Sequence, residues 1–246
     1  MLYAHPFAEE MNKSRRMARL QASEFANAGF AVLQIDLFGC GDSAGNFADA
    51  TWDDWVNDLR CGANWLQETV AAPLWLWGLR AGCLLLAATA AGIKSPVSYL
   101  FWQPPPSGRV LLQQFLRLRL AADMRFGKNK GAMERLRSNL RDAGSIEIVG
   151  YELSYTLATG LENAALVMPI FPTVVHWLEL THLGSDSELL PASVKLIEHW
   201  RESGSKVHTQ VIRGPQFWQV GEIEDAPTLL QVSVAAAIGG GCDVID

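Results

Sequence analysis

Pro73-Leu74-Trp75-Leu76-Trp77-Gly78-Leu79-Arg80-Ala81-Gly82-Cys83-Leu84-Leu85-Leu86-Ala87 is the stretch on which the reading of this chain turns. It opens with a proline and a short, unbroken apolar run, the pattern of a strand covered on both faces. Gly78 and Gly82 then bracket three residues, and a mostly apolar segment runs from Cys83 to Gly92. That segment is about half the length a bilayer span requires, so it reads as a buried helix. Strand, glycine-bracketed turn and buried helix together make a tight βα unit.

Alternation continues outward from this unit. Leu2–Ala4 is a short apolar run, and a polar helical segment extends from about Asn12 to Ala28, closed by Gly29. Phe30-Ala31-Val32-Leu33-Gln34-Ile35 reads as a buried strand ending at Asp36, with a loop rich in Gly and Asp behind it. Thr51 or Asp53 is suited to cap a helix reaching about Thr69. Val97–Trp102 is the next strand. Strands and helices alternate again through Thr173–Leu180, Val194–Ser203, Val207–Ile212 and Ala226–Ile238. This order predicts an α/β class: a mainly parallel sheet with helices on both faces.

Between the halves, from Pro104 to Met168, the pattern changes. Pro104-Pro105-Pro106 breaks the chain, and arginine-studded helical segments follow. Residues 107–141 carry nine Lys and Arg against Asp123 and Glu134, a local charge of +7 in a chain whose net charge is −6. The segment reads as a helical lid insertion over the carboxyl ends of the strands, where open α/β sheets bind ligands. The core is then divided into residues 1–103 and 169–246.

Composition narrows the function classes. With 49% apolar and 19% charged residues the chain suits a folded core, and net −6 gives no reason to expect nucleic acid. The five histidines are scattered with no metal-binding spacing, so neither metal nor cofactor is expected. Cys40, Cys61, Cys83 and Cys242 lie far apart and read as free thiols. With no leader and no transmembrane segment, these predict a cytoplasmic protein.

The residues around Gly78–Gly82 have a chemical meaning. In α/β-hydrolases a G-x-S-x-G turn joins a strand to a helix, and its strained central residue points into the site. Here that residue is Arg80, with Ala81 after it as an N–H donor. A guanidinium stays protonated and has no lone pair for attack, so it forms no acyl-enzyme. Asp36-Leu37-Phe38-Gly39-Cys40-Gly41-Asp42-Ser43 looks like the D-x-x-G-x-G-x-S loop of the same superfamily. His5-Pro6-Phe7 resembles the loop that supplies one oxyanion-hole N–H. After strand Val207–Ile212 comes Arg213-Gly214-Pro215-Gln216-Phe217-Trp218, with Phe217 at the place of the usual base histidine and Trp218 beside it. The acid position is open among Glu179, Asp186 and Glu188, with Asp186 in a stretch resembling D-x-x-x-P. A buried Arg80 needs a compensating anion: Glu179, Asp186, Glu188, Glu9 or Glu10 inside the chain, or an anionic small-molecule ligand.

The segments His5–Met17, Asp36–Gly45, Gly78–Gly82 and Gly214–Trp218 together resemble the exosortase A system-associated hydrolases, type 2, over nearly the whole chain. The resemblance implies that the arginine is a family feature. It also implies a bacterial cytoplasmic protein working beside exopolysaccharide and protein-sorting machinery, and it names no substrate. Set against that family, an N-terminal hairpin is expected to be lacking ahead of Leu2. Three readings follow. One is a non-catalytic or non-standard hydrolase-fold protein binding an anion or a pathway partner. Another is an ester or thioester hydrolase with a displaced nucleophile, Ser43 or Cys83 with His5 or His182. The third is a docking protein engaging an acidic partner through its basic insertion.

Overall fold

The computed structural model describes residues 1–123, 131–167, 169–182, 188–219, 221 and 224–239. Along the chain run β1 (Leu2–Ala4), α1 (Glu9–Asn27), β2 (Leu33–Gln34), α2 (Trp52–Thr69), β3 (Trp75–Leu79), α3 (Ala81–Ala90) and β4 (Ser98–Trp102). Then come α4 (Gly108–Asp123), α5 (Ala132–Ala143), β5 (Ser145–Ile148), β6 (Tyr151–Ser154) and α6 (Tyr155–Asn163). The chain continues through β7 (Val174–Thr181), α7 (Pro191–Glu202), β8 (Lys206–Arg213) and α8 (Pro227–Gly239). They fall into two compact units, Met1–Ile35 with Leu59–Pro106 and Leu166–Asp246, and Asp36–Asp58 with Ser107–Ala165.

The first unit holds a six-stranded sheet in the order β2-β1-β3-β4-β7-β8. Among the described residues every pairing within it is parallel, Ala4 lying opposite Gly78 and Trp77 opposite Leu100. Parallel strands must be covered on both faces, and alternation along β4 shows how. Trp102 packs with Trp77 and Phe217, in the core face that α1 and α8 cover with Met17, Phe25, Leu229 and Ala237. Tyr99 and Phe101 turn the other way, onto Trp200 of α7. α1 lies on the sheet because Met11, Met17, Ala18 and Phe25 recur at helical spacing and are buried.

One strand differs from expectation. The run Phe30–Ile35 does not form a buried six-residue strand. Only Leu33 and Gln34 pair, and no residue of the run is fully buried. β2 is the edge of the sheet, so half of its backbone and one flank have no neighbour in the sheet.

The second unit contains the basic segment, and it is not wholly helical. β5 and β6 form an antiparallel hairpin closed at Val149-Gly150, both at positive φ. Gly108 sits so close to the Leu161 carbonyl that a β-carbon would lie within van der Waals overlap of it, bringing α4 against α6. Asp36–Asp58 belongs to this unit although it precedes Ser107 by half the core in sequence. The reciprocal Thr51–Asp54 capping box that starts α2 lies there, Thr51 Oγ1 accepting from the Asp54 amide at 3.1 Å.

Candidate functional site

Arg80 stands between β3 and α3 with φ 54° and ψ −115°, and it is 7% exposed. A positive φ is sterically unfavourable for a residue with a β-carbon, and here the surroundings impose it. The Arg80 amide donates to the Trp102 carbonyl at 3.0 Å, and its own carbonyl accepts from the Cys83 amide at 3.0 Å. The glycines are needed for approach. A β-carbon on Gly78 would lie 2.8 Å from the Cys83 nitrogen, and one on Gly82 would meet the Ala4 carbonyl oxygen head-on. The helix therefore starts hard against the ends of β1 and β3, with Ala81 buried as its first residue.

Around Arg80 the structure gathers Glu10 and Trp218. Arg80 Nη2 donates to Glu10 Oε1 at 3.1 Å, and Nε lies 3.3 and 3.4 Å from the two carboxylate oxygens. The Arg80 guanidinium carbon stands 5.9 Å from the Trp218 ring centroid, a cation–π approach. Glu10 belongs to the first turn of α1, where the helix dipole favours negative charge. Burial nevertheless pushes its carboxyl above the ordinary value of 4.5, opposed by the attraction of Arg80. Glu9 is raised too, first by burial and also by the neighbouring Glu10 charge.

The other expected residues are distributed as follows. His5, Pro6 and Phe7 are buried on the loop between β1 and α1, His5 Nδ1 lying 2.8 Å from the Pro6 carbonyl. Phe217 is buried, edge-on to Trp102 and Trp218. Glu179 is buried on β7 but is engaged elsewhere: Oε1 accepts from Trp177 Nε1 at 2.9 Å and Oε2 from the Leu190 amide at 3.0 Å. His182 and Glu188 are exposed, and Asp186 lies outside the described residues. Cys83 is fully buried inside α3, its Sγ 3.7 Å from the Trp102 carbonyl oxygen, and burial pushes its thiol well up. Ser43 donates to the Asp36 carbonyl at 2.7 Å, a local turn bond.

Two backbone features escaped sequence reasoning. Ala8, before α1, has φ 49° and ψ −123°, nearly the conformation of Arg80. Gln103 has φ 47°, and its Oε1 accepts from the Leu180 amide at 2.8 Å. Neither residue type signals positive φ, and only the proline after Gln103 hinted at a break.

Among solved structures, Est1E from Butyrivibrio proteoclasticus, with ferulic acid bound, superposes over 98% of this chain and 89% of its own, at TM-score 0.65 and 13% identity. The α/β hydrolase GrgF from Penicillium matches over 97% and 89% at TM-score 0.58 and 16% identity. This chain has the α/β-hydrolase fold. An esterase of the bacterial hormone-sensitive lipase family matches at TM-score 0.53 and 21% identity, over 97% of this chain and 74% of its own. No family model matches the sequence, and no curated protein matches it. At such identities the likeness speaks for the α/β-hydrolase fold alone, and the chemistry has to be argued from the residues just described. Among the described residues no three His, Cys, Asp or Glu side chains are grouped to hold a metal ion, and no helix is long and apolar enough to cross a membrane.

Proposed function

We propose that this α/β-hydrolase-fold protein is a non-catalytic binding protein rather than a Ser-His-Asp hydrolase. One observation carries the reading. The strained residue at the start of α3, where a nucleophile would stand, is an arginine, buried and ion-paired to Glu10. Serine catalysis needs an oxygen nucleophile and a base that takes its proton. Arg80 supplies no nucleophile, and Phe217 supplies no base. Of the displaced alternatives, Cys83 is sealed in a helix with its thiol held protonated, and Ser43 is spent on a turn. The resemblance to the exosortase A system-associated hydrolases, type 2, favours a bacterial cytoplasmic role beside exopolysaccharide and protein-sorting machinery.

The purified chain is expected to show no labelling by a fluorophosphonate probe and no turnover of short- or long-chain esters and thioesters. Arg80→Ser alone gains neither, because the base is still lacking. Labelling or robust turnover by the unmodified chain would overturn the reading, and its loss on Ser43→Ala or Cys83→Ala would assign the activity to a displaced nucleophile.

A further inference from the structure

β1 and β3 are parallel neighbours, so α1 and α3 start at the same end of adjacent strands. Ala8 and Arg80, each just before a helix, share a strained conformation there. Helix starts favour negative charge, and a guanidinium at one of them is unfavourable until an anion offsets it. Glu10 is that anion, yet it is held loosely. On the surface, Arg16 and Asp225 meet as a fork, Nε–Oδ1 and Nη2–Oδ2 both at 2.8 Å. Buried Arg80 engages Glu10 at 3.1 to 3.4 Å, with Oε1 accepting from both Nε and Nη2. Good charge-assisted pairs close to roughly 2.7–2.9 Å. Burial, which should reward a tight fork most, coincides here with the poorer one.

The rest of the cluster suits exchange of this carboxylate. Burial weakens Glu10 as an anion by raising its pKa, while Lys13, one turn on, adds positive charge to the group. Glu9 Oε2 is enclosed without a hydrogen-bond partner among the described residues, which disfavours a second negative charge on the incoming group. Trp218 lies against the guanidinium, fully buried, and its Nε1 likewise has no partner among the described residues.

We propose that Glu10 is an internal stand-in for a carboxylate-bearing small molecule, which binds Arg80 by displacing it. The inference rests on reading the chain as a binding protein, and it names the class of ligand. One carboxylate replaces another, so Arg80 stays neutralised throughout, and Glu10, whose side chain is 12% exposed, moves into water. A monoanionic carboxylate fits this one-for-one exchange better than a dianionic phosphate.

The test is a titration of the full chain with propionate at constant ionic strength, following the Trp218 indole N–H and the Arg80 Nε–H by NMR. Saturable shifts are expected in the wild type. They should reach half-saturation at about tenfold lower propionate or less in Glu10→Gln, and vanish in Arg80→Gln. No saturable shift in the wild type overturns the proposal, as does a Glu10→Gln variant that binds no more tightly. A stronger response to inorganic phosphate than to propionate overturns the carboxylate assignment. Should Glu10→Gln fail to fold, the wild-type titration decides alone. Absence of propionate binding with no fluorophosphonate labelling sinks this inference and leaves the non-catalytic reading standing; labelling sinks that reading on its own.

Discussion

A buried ion pair is a weak stabiliser as a whole and a strong one against loss of a single partner, because removal strands the remaining charge. Arg80→Ala should therefore lower stability by about 3 kcal/mol at neutral pH, read from urea midpoints. Glu10 sets the pH dependence. Its folded pKa is raised above the unfolded value, so its contribution is fully present below pH 4.5 and is lost as pH rises through the folded pKa. The stability difference between wild type and Glu10→Gln is expected to shift against the wild type as pH rises from the unfolded value. A pH-independent difference would mean that Glu10 is no more buried than an ordinary surface glutamate. The site was partly legible at this scale. A glycine-bracketed arginine demands an anion, and the His5–Met17 segment was among its candidate sources. Which carboxylate answers was not legible, since Glu9, Glu10 and Glu179 are equally acidic as letters. Glu179 is drawn off by Trp177 and the Leu190 amide, a choice made by register and loop path.

At the scale of elements, β7 and β8 place His176 opposite His208 in register, with ring centroids 4.9 Å apart and planes 14° from parallel. Trp75 stacks on the other side of His176 at 5.9 Å. Burial, with the His208 charge adding to it, pushes the His176 pKa down to about 4 from 6.5. The unfolded chain thus takes up a proton that the folded chain refuses, and stability should fall as pH drops from 6.5 towards 4. His176→Phe keeps the stack and removes the proton, so its urea midpoint should change less over that interval; an unchanged slope would place the acid sensitivity elsewhere. Strand existence was readable from apolar runs for β3, β4 and β7. The run Phe30–Ile35 looked equally strong and forms only a two-residue edge, because pairing depends on neighbours a local pattern does not specify. The hairpin β5–β6 was missed for the opposite reason: Ser145–Ser154 is polar and short, with no clean alternation.

For the whole molecule, charge along the sequence and charge in space differ. Residues 107–141 read as a +7 block, the basis for expecting an acidic docking partner. The compact unit they join also includes Asp36–Asp58. It holds nine basic residues against twelve acidic ones, counting Asp36, Asp42, Asp49, Asp53, Asp54 and Asp58 with those of 107–165. Glu162 further engages Arg137 at 2.8 Å and Arg109 at 3.9 Å. The chain should therefore flow through heparin at about 0.15 M salt, where charges beyond a Debye length are screened. Retention that weakens steeply with added salt would restore the docking reading.

By itself the sequence determined the class of the fold and the identity of the residue at the critical turn. Both are local: apolar runs bounded by glycine and proline set βα order, and an arginine carries its charge and its lack of nucleophilicity wherever it is placed. Tertiary structure alone decided that Glu10 neutralises it, that the edge strand shrinks to two residues, and that the basic block shares a unit with a distant acidic loop. Each of these depends on which groups end up a few ångströms apart. Coulomb attraction, desolvation and strand pairing act over such distances, whatever the separation along the chain.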